Sequence, residues 1–287
     1  MSAEAVCWIN GRVVPAAEAA VPVMDHGLLY GDGVFEGIRF YNRRVFRLVA
    51  HLERLAHSAT AIRLDLPMPL AEMNRAVEQT VAAFSGADGY LRLVVTRGAG
   101  PLGIDPRGCA TPGLFIIADH LSMAGAEARQ RGARVIVAAT RKTPLDGLDP
   151  RIKSLNYLTH ILARMEANHA GADEAVLLNR EGRVAEGAAQ NVFTVRGGTL
   201  FTPPTVDGAL AGVTRDVVLE LAAGAGIPAR EASLTRYDLY TADECFLTGT
   251  GTGLLPVAEV DGRRLRNCPG PVFRELEKRF QECVAAG

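Results

Sequence analysis

One stretch limits the fold of this chain more than any other: Leu148-Asp149-Pro150-Arg151-Ile152-Lys153-Ser154-Leu155-Asn156-Tyr157-Leu158. Pro150 forbids a regular helix through it, because proline lacks the N–H and crowds the preceding turn. Beyond it Leu155, Leu158, Leu162 and Met165 recur at helical spacing, which predicts a helix over 155–169. Lys153 therefore stands where an irregular segment becomes a helix, a place from which a side chain can be aimed into a cavity. An amine held there sheds part of its hydration, its pKa falls, and it becomes a nucleophile toward carbonyls, as a Schiff-base lysine must be. Taken alone, a solvated lysine near a helix start is the ordinary outcome. The other motifs decide between the two.

The chain of 287 residues has room for about two domains. A hydrophobic fraction of 48% with 22% charged residues is that of a soluble globular protein with a real core. The net charge of -1 gives no electrostatic case for nucleic acid or an acidic membrane as a partner. Cys7, Cys109, Cys245, Cys268 and Cys283 form no C-x-x-C pair and no zinc spacing, so no metal site is expected and the thiols read as reduced in a cytoplasm. No signal peptide is read at the N-terminus, and no apolar run of about 18 residues predicts a membrane span.

The first half reads as strands, helices, strands. Val6–Ile9 and Arg12–Val14 flank the turn Asn10-Gly11, and Val34–Tyr41 and Val45–Leu48 flank Asn42-Arg43-Arg44. Met24 to Gly33, rich in glycine, is expected to be irregular. Two amphipathic helices follow, one burying Leu52, Leu55, Ala59 and Ile62, the other Leu70, Met73, Val77, Val81 and Phe84. Strands are expected at Tyr90–Arg97 and Leu114–Ala118. In the second half they are expected at Ala133–Thr140, Glu174–Leu178, Arg183–Glu186, Asn191–Val195, Thr199–Thr202, Glu244–Thr248 and Pro256–Leu265, with further helices at 214–224 and 271–284. The expectation is an α+β chain: a small N-terminal domain over 1–118, a polar linker over 119–131, and a larger, strand-rich C-terminal domain over 132–287.

Gly98-Ala99-Gly100-Pro101-Leu102-Gly103 matches G-x-G-x-x-G after a strand, but Pro101, Pro106 and Pro112 block the helix a dinucleotide site needs. Leu210-Ala211-Gly212-Val213-Thr214 leads into a helix with Thr214 as the expected N-cap, and the free N–H groups there suit a phosphate. Thr248-Gly249-Thr250-Gly251-Thr252-Gly253 follows a strand and allows close approach of backbone N–H groups to a ligand. Glu186, a strand-end carboxylate among small residues, needs a cation if buried, and a protonated pyridine nitrogen would serve. Arg54 lies off the apolar stripe of its helix. Each has a plain structural reading as cap, turn or solvated face. Together a Schiff-base lysine, two anion-binding turns, an arginine and a carboxylate are what a phosphorylated pyridine aldehyde needs.

The wording and order of these motifs resemble the fold-type IV, pyridoxal-phosphate-dependent class IV aminotransferases, and among them the branched-chain amino acid aminotransferases. The resemblance rests on Tyr30-Gly31-Asp32-Gly33-Val34-Phe35-Glu36-Gly37-Ile38-Arg39, His51-Leu52-Glu53-Arg54-Leu55, Ile152 to Leu158, Glu186-Gly187 with Asn191-Val192-Phe193, Gly212 to Asp216, and Leu247 to Thr250, and covers nearly the whole chain. It implies a two-domain fold like that of the D-amino acid aminotransferases, an assembly at least dimeric, and a site near the domain junction. It implies that Lys153 holds the cofactor as a Schiff base and shuttles the substrate proton, that Glu186 pairs with the pyridine nitrogen, and that Tyr157 meets the ring 3′ oxygen. Arg54, the Val213 and Thr214 amides and Thr250 would hold the phosphate. Tyr90 and the backbone at Thr250-Gly251 would meet the substrate carboxylate, and Arg92 the second carboxylate of glutamate or 2-oxoglutarate. Phe35, Gly37 and Tyr30 would wall the side-chain pocket, Tyr30 from the neighbouring subunit.

The activity so implied is biosynthetic transamination between L-leucine, L-isoleucine or L-valine and 2-oxoglutarate. Tyr90-Leu91-Arg92 and Leu102-Gly103-Ile104-Asp105-Pro106 favour this type, and Ala99 stands where D-amino acid aminotransferases carry a histidine. Two features depart from the branched-chain pattern. Gly249-Thr250-Gly251-Thr252-Gly253 replaces the usual Gly-Thr-Ala-Ala-Glu, and the linker lacks a tryptophan, Trp8 being the only one. A D-amino acid aminotransferase, an (R)-amine transaminase, an aminodeoxychorismate lyase and a non-catalytic ligand-binding relative are the alternatives.

Overall fold

A computed structural model describes residues 4–121 and 125–286. The described residues form two compact units, one running through Leu121 and including Ile152–Asn156, the other holding the residues up to Arg151 and Tyr157–Ala286. Among the described residues no helix is long and apolar enough to cross a membrane.

The first unit contains β1 (Val6–Ile9), β2 (Arg12–Pro15), α1 (His26–Tyr30), β3 (Gly33–Tyr41), β4 (Arg44–Val45), α2 (Leu48–Ala61), α3 (Leu70–Ala83), β5 (Gly89–Thr96) and β6 (Gly113–Asp119). Its strands form one antiparallel sheet in the order β2-β1-β6-β5-β3-β4. Alternation along β3 splits the sheet into two faces. Val34, Ile38 and Phe40 point one way with Leu91, Leu93, Val95, Ile116 and Trp8, and pack under Leu52, Leu55, Met73, Val77 and Val81 of α2 and α3. Phe35, Gly37 and Arg39 point the other way, opposite Val94, Arg92 and Tyr90 of β5.

Two local expectations change here. Met24 to Gly33 is not wholly irregular: Asp25 caps α1 by accepting from the Gly27 N–H at 2.7 Å, and Gly31 closes it at φ 70°. The cap is itself held, since Asp25 Oδ2 accepts from the Thr96 hydroxyl at 2.8 Å. The strand expected at Val45–Leu48 stops at Val45, because Arg47 turns into the left-handed region (φ 53°) and Leu48 already starts α2.

The second unit contains α4 (Ala126–Arg131), β7 (Ala133–Arg141), α5 (Leu158–His169), β8 (Glu174–Leu178), β9 (Val184–Gly187), β10 (Asn191–Arg196), β11 (Thr199–Thr202), α6 (Val213–Gly224), β12 (Ala229–Glu231), α7 (Arg236–Thr241), β13 (Glu244–Gly249), β14 (Gly253–Val260), β15 (Arg263–Arg264) and α8 (Pro271–Ala286). Of the linker expected over 119–131, residues 122–124 lie outside the described residues and α4 takes up the end. The mixed sheet of this unit runs β12-β11-β10-β13-β14-β7-β8-β9, with β15 beside β14. The pairs β7–β8, β7–β14 and β11–β12 are parallel and the rest antiparallel. Val135, Val176, Leu178, Val192, Leu247 and Val257 fill one face, while Ala138, Ala175 and Leu177 receive α5 on the other.

The helix expected from residue 155 begins at Leu158. Its buried side is alanine, Ala163 and Ala167, which lets it lie close to the sheet. Of the apolar stripe that announced it, Leu155 is half-buried ahead of the helix, while Leu158, Leu162 and Met165 face outward and are exposed, as is Ile161. The late strand starts earlier than expected, at Gly253, and Asp261-Gly262 forms the expected turn within it, between β14 and β15.

Candidate functional site

The candidate residues fall into two sets, one in each unit. In the first, the stretch Ile152–Asn156 runs as an extra strand beside the start of β3. Ser154 bridges Val34, the Phe35 N–H donates to the Lys153 carbonyl at 2.9 Å, and the Leu155 N–H donates to the Gly33 carbonyl at 3.0 Å. The Lys153 N–H donates to Ser58 Oγ of α2 at 3.1 Å. Pro150 and the irregular lead expected from sequence thus serve to bring Lys153 onto a sheet edge. Its half-buried side chain places Nζ 4.7 Å from the centre of the Phe35 ring.

Arg92, on the neighbouring strand, lays its guanidinium 4.1 Å from the same ring centre. Phe35 therefore meets two cations, an arrangement favoured by the negative face of an aromatic ring. Gly37 is opposite Arg92, and a Cβ there would collide with the Tyr90 hydroxyl. So Lys153, Phe35, Gly37, Tyr90 and Arg92 share the sheet face opposite the helices. Tyr30, predicted with them, ends α1 with its hydroxyl accepting from the Gly103 N–H at 2.9 Å.

Arg54 does not lie on a solvated helix face. Its Nε and Nη2 donate to the two oxygens of Glu36 at 2.7 and 2.8 Å. His51 Nδ1 adds a bond to Glu36 Oε2 at 2.7 Å. Glu36 is fully buried on the core-facing phase of β3. Burial alone would raise its pKa, but the Arg54 charge and the bonds from His51 and Arg54 bring it down to about 2. Burial lowers the pKa of His51 despite the carboxylate, so the imidazole donates to Glu36 in its neutral form. The alternation Val34, Glu36, Ile38, Phe40 carried the missed signal: an acid on a core-facing phase requires a cation.

In the second unit Glu186 sits on β9, where Val184 to Gly187 are all buried. One carboxylate oxygen pairs with Lys142 Nζ, and the other accepts from the Leu210 N–H at 2.9 Å. Burial opposes ionisation, but the Lys142 charge and the bonds from Lys142 and Leu210 hold Glu186 below the ordinary carboxylate value. Lys142, just past β7, was not singled out from sequence. It lies far along the chain from Glu186, and no local pattern marks it. Tyr157 stacks on His160, ring centres 4.5 Å apart at 19°, and His160 lies 2.9 Å from Lys142 Nζ.

The Leu210–Gly212 turn is fastened twice, by Glu186 and by Asn191 Nδ2, which donates to the Leu210 carbonyl at 2.9 Å. Thr214 is not the N-cap of α6. Gly212 is, because Asn191 Oδ1 lies where a Cβ at that position would go. Among the described residues no side chain caps the helix, so the first-turn N–H groups at Val213 and Thr214 have the character of an anion site. Asn191 pairs across the sheet with Thr248, whose buried hydroxyl has no hydrogen-bond partner among the described residues. Thr250 and Gly251 follow in a turn closed by the Thr252 N–H on the Gly249 carbonyl at 3.1 Å. Gln190 Nε2 donates to Thr252 Oγ1 at 2.9 Å.

The decoy at Gly98 to Gly103 opens no long helix, only a short 3-10 turn at Pro106–Gly108. What remains is an ionised buried acid, an uncapped helix start, an unpartnered buried hydroxyl and a strand-borne lysine. By their chemistry the acid, helix start and hydroxyl of the second unit suit the ring nitrogen and phosphate of a phosphorylated pyridine aldehyde, and the lysine of the first unit suits its aldehyde.

Residues 33–260 match the family "Amino-transferase class IV". A protein of Methanocaldococcus jannaschii is 47% identical over 276 residues, spanning 96% of this chain and 95% of its own length. The branched-chain aminotransferase of Thermoproteus uzoniensis, solved with norvaline, superposes with a TM-score of 0.92 at 38% identity, covering 98% of this chain and 95% of that one. The T.th. branched-chain amino acid aminotransferase complexed with N-(5'-phosphopyridoxyl)-L-glutamate gives 0.92 at 35% identity, over 98% and 94%. The chain belongs to the class IV aminotransferases. It is an enzyme that uses pyridoxal phosphate as its cofactor.

Proposed function

We propose that this enzyme exchanges amino groups between L-leucine, L-isoleucine or L-valine and 2-oxoglutarate. One observation carries the reading: the Arg92 guanidinium lies 4.1 Å from the centre of the Phe35 ring, with Gly37 and Tyr90 beside it. An apolar wall for a branched side chain and a cation for a second carboxylate then share one face, as a site taking both leucine and glutamate requires. The relatives support it, since one is described with norvaline and another with a glutamate adduct of the cofactor.

Pyridoxal phosphate, when bound, supplies an aldehyde to carry the amino group and a ring to take up the electron pair of the broken C–H bond. Lys153 would hold that aldehyde through its ε-amine, and the same amine, when free, would take and return the proton at substrate Cα. Glu186 stays ionised and keeps the ring nitrogen protonated. Tyr157 holds the 3′ oxygen. The Val213 and Thr214 amides, Thr250 and Arg54 hold the phosphate, with Arg54 kept in place by Glu36. Tyr90 and the backbone at Gly251 orient the substrate carboxylate, and Tyr30 closes the side-chain pocket, in a homodimer or larger assembly.

Arg92→Leu tests the reading. The variant should keep its reaction with L-leucine and lose that with glutamate by about 100-fold. Equal loss toward both substrates would contradict it, as would a wild-type enzyme that acts on D-alanine or (R)-amines and not on L-leucine.

A further inference from the structure

Behind Glu186 lies a side-chain network that the reaction just described does not use. Lys142 is 3% exposed, and its ammonium pairs with Glu186 on one side. On another it meets His160 Nε2 at 2.9 Å. His160 Nδ1 stands 2.6 Å from the Ala188 carbonyl. A carbonyl oxygen only accepts, so Nδ1 carries the hydrogen; an ammonium only donates, so Nε2 offers its lone pair. Both contacts fix His160 as the same neutral tautomer.

The stack of Tyr157 on the imidazole fixes the ring plane as well. The lysine stem is held too. Its backbone N–H donates to the Leu178 carbonyl at 2.9 Å, and Gly208, at φ +103°, leaves room for Cγ. A buried ammonium with a flexible stem needs such guides if its hydrogens are to point one way.

We infer that Lys142 and His160 are positioning residues that join Glu186 to Tyr157, so that the group facing the cofactor's ring nitrogen and the group facing its 3′ oxygen are set by one hydrogen-bonded unit. His160 takes one ammonium hydrogen and thereby aims another at Glu186. The same imidazole sets the plane of the Tyr157 ring. Neither residue touches the reacting atoms. Together they set how strongly the ring nitrogen is held protonated, and hence the electron demand of the cofactor.

This rests on Glu186 and Tyr157 meeting the cofactor as proposed above, and the test separates the two. Holoenzyme carrying Glu186→Gln, Lys142→Met or His160→Phe is compared with wild type for the position of the cofactor's visible absorption band and for cofactor retained at dialysis equilibrium. Lys142→Met should shift the band in the same direction as Glu186→Gln and weaken retention about 10- to 100-fold, the worth of a hydrogen bond to a charged group. His160→Phe, which keeps a ring for Tyr157 but no acceptor for Lys142, should shift it the same way and weaken retention about 3- to 10-fold. Lys142→Arg and His160→Gln should recover most of each loss. In steady state the loss should fall on kcat, with KM for L-leucine held. If Lys142→Met does not fold, His160→Phe and His160→Gln decide alone. A wild-type band and wild-type retention in His160→Phe, with Glu186→Gln altered, overturn the positioning role only. An unaltered Glu186→Gln overturns the placement of Glu186 and this inference with it.

Discussion

Each unit buries a glutamate, and the two are held differently. Glu36 receives three hydrogen bonds from side chains, two from Arg54 and one from His51. Glu186 receives one from a lysine and one from a backbone amide, among Ala185, Gly187 and Ala188. A carboxylate has about four acceptor positions. Glu36 spends most of them inside the protein, and its effect is to fasten an arginine. Glu186 is kept ionised by fewer bonds, and its neighbours along the strand are small. Both acids are charged at neutral pH, and on the proposed reading only Glu186 meets a ligand.

The first prediction sets a reference that neither acid touches. Lys153→Ala should lose turnover by about 1,000-fold or more, the range of a lost proton-transfer group. It should stay folded, since its bonds to Phe35 and Ser58 are made by the backbone. Single-turnover kinetics with circular dichroism checks both halves.

The next prediction contrasts the acids. Glu186→Gln should lower kcat by about 100-fold, as when a preorganised electrostatic partner is removed. Glu36→Gln should act first on stability, with a cost of about 3 kcal/mol for a broken buried pair, read as a lowered urea midpoint. Should Glu36→Gln cut kcat as deeply as Glu186→Gln while the midpoint stays put, the contrast is lost.

Acid should expose the same difference. Glu36 has a pKa of about 2, below its ordinary 4.5, so its stabilisation is present above about 4.5 and fades as pH falls through 2. The amount at stake is roughly 3 kcal/mol. Glu36→Gln should therefore flatten the fall of stability over that range, as measured by urea melts from about pH 5 to about pH 2.

The smallest expected effect is at the substrate face. Gly37→Ala pushes a methyl group into the Tyr90 hydroxyl and should raise KM for L-leucine about tenfold. Adding Tyr90→Phe should return part of that, because the colliding oxygen is gone.

Sequence alone made local patterns readable and left partnerships hidden. The Asn10-Gly11 hairpin, the stripes of α2 and α3, and the proline that keeps Lys153 out of a helix all act through near neighbours. Alternation in β3 was visible, yet Glu36 passed as part of a motif because its partners lie on α2. Lys142 was invisible, since burial and the pairing with Glu186 exist only once β7 and β9 are brought together around β8. In α5 the pattern gave the helix and misled about its face, because alanine packs against the sheet while the larger side chains point outward. Arg47 ended a strand early for a backbone reason that side-chain pattern does not encode.

The most direct measurement is the half-reaction. Holoenzyme is mixed with L-leucine and no acceptor, and the absorbance is followed. Loss of the visible cofactor band with growth of the pyridoxamine phosphate band, reversed on adding 2-oxoglutarate, is the predicted result. A spectrum unmoved by L-leucine but shifted by D-alanine or an (R)-amine would contradict the proposed substrate and leave the family in place.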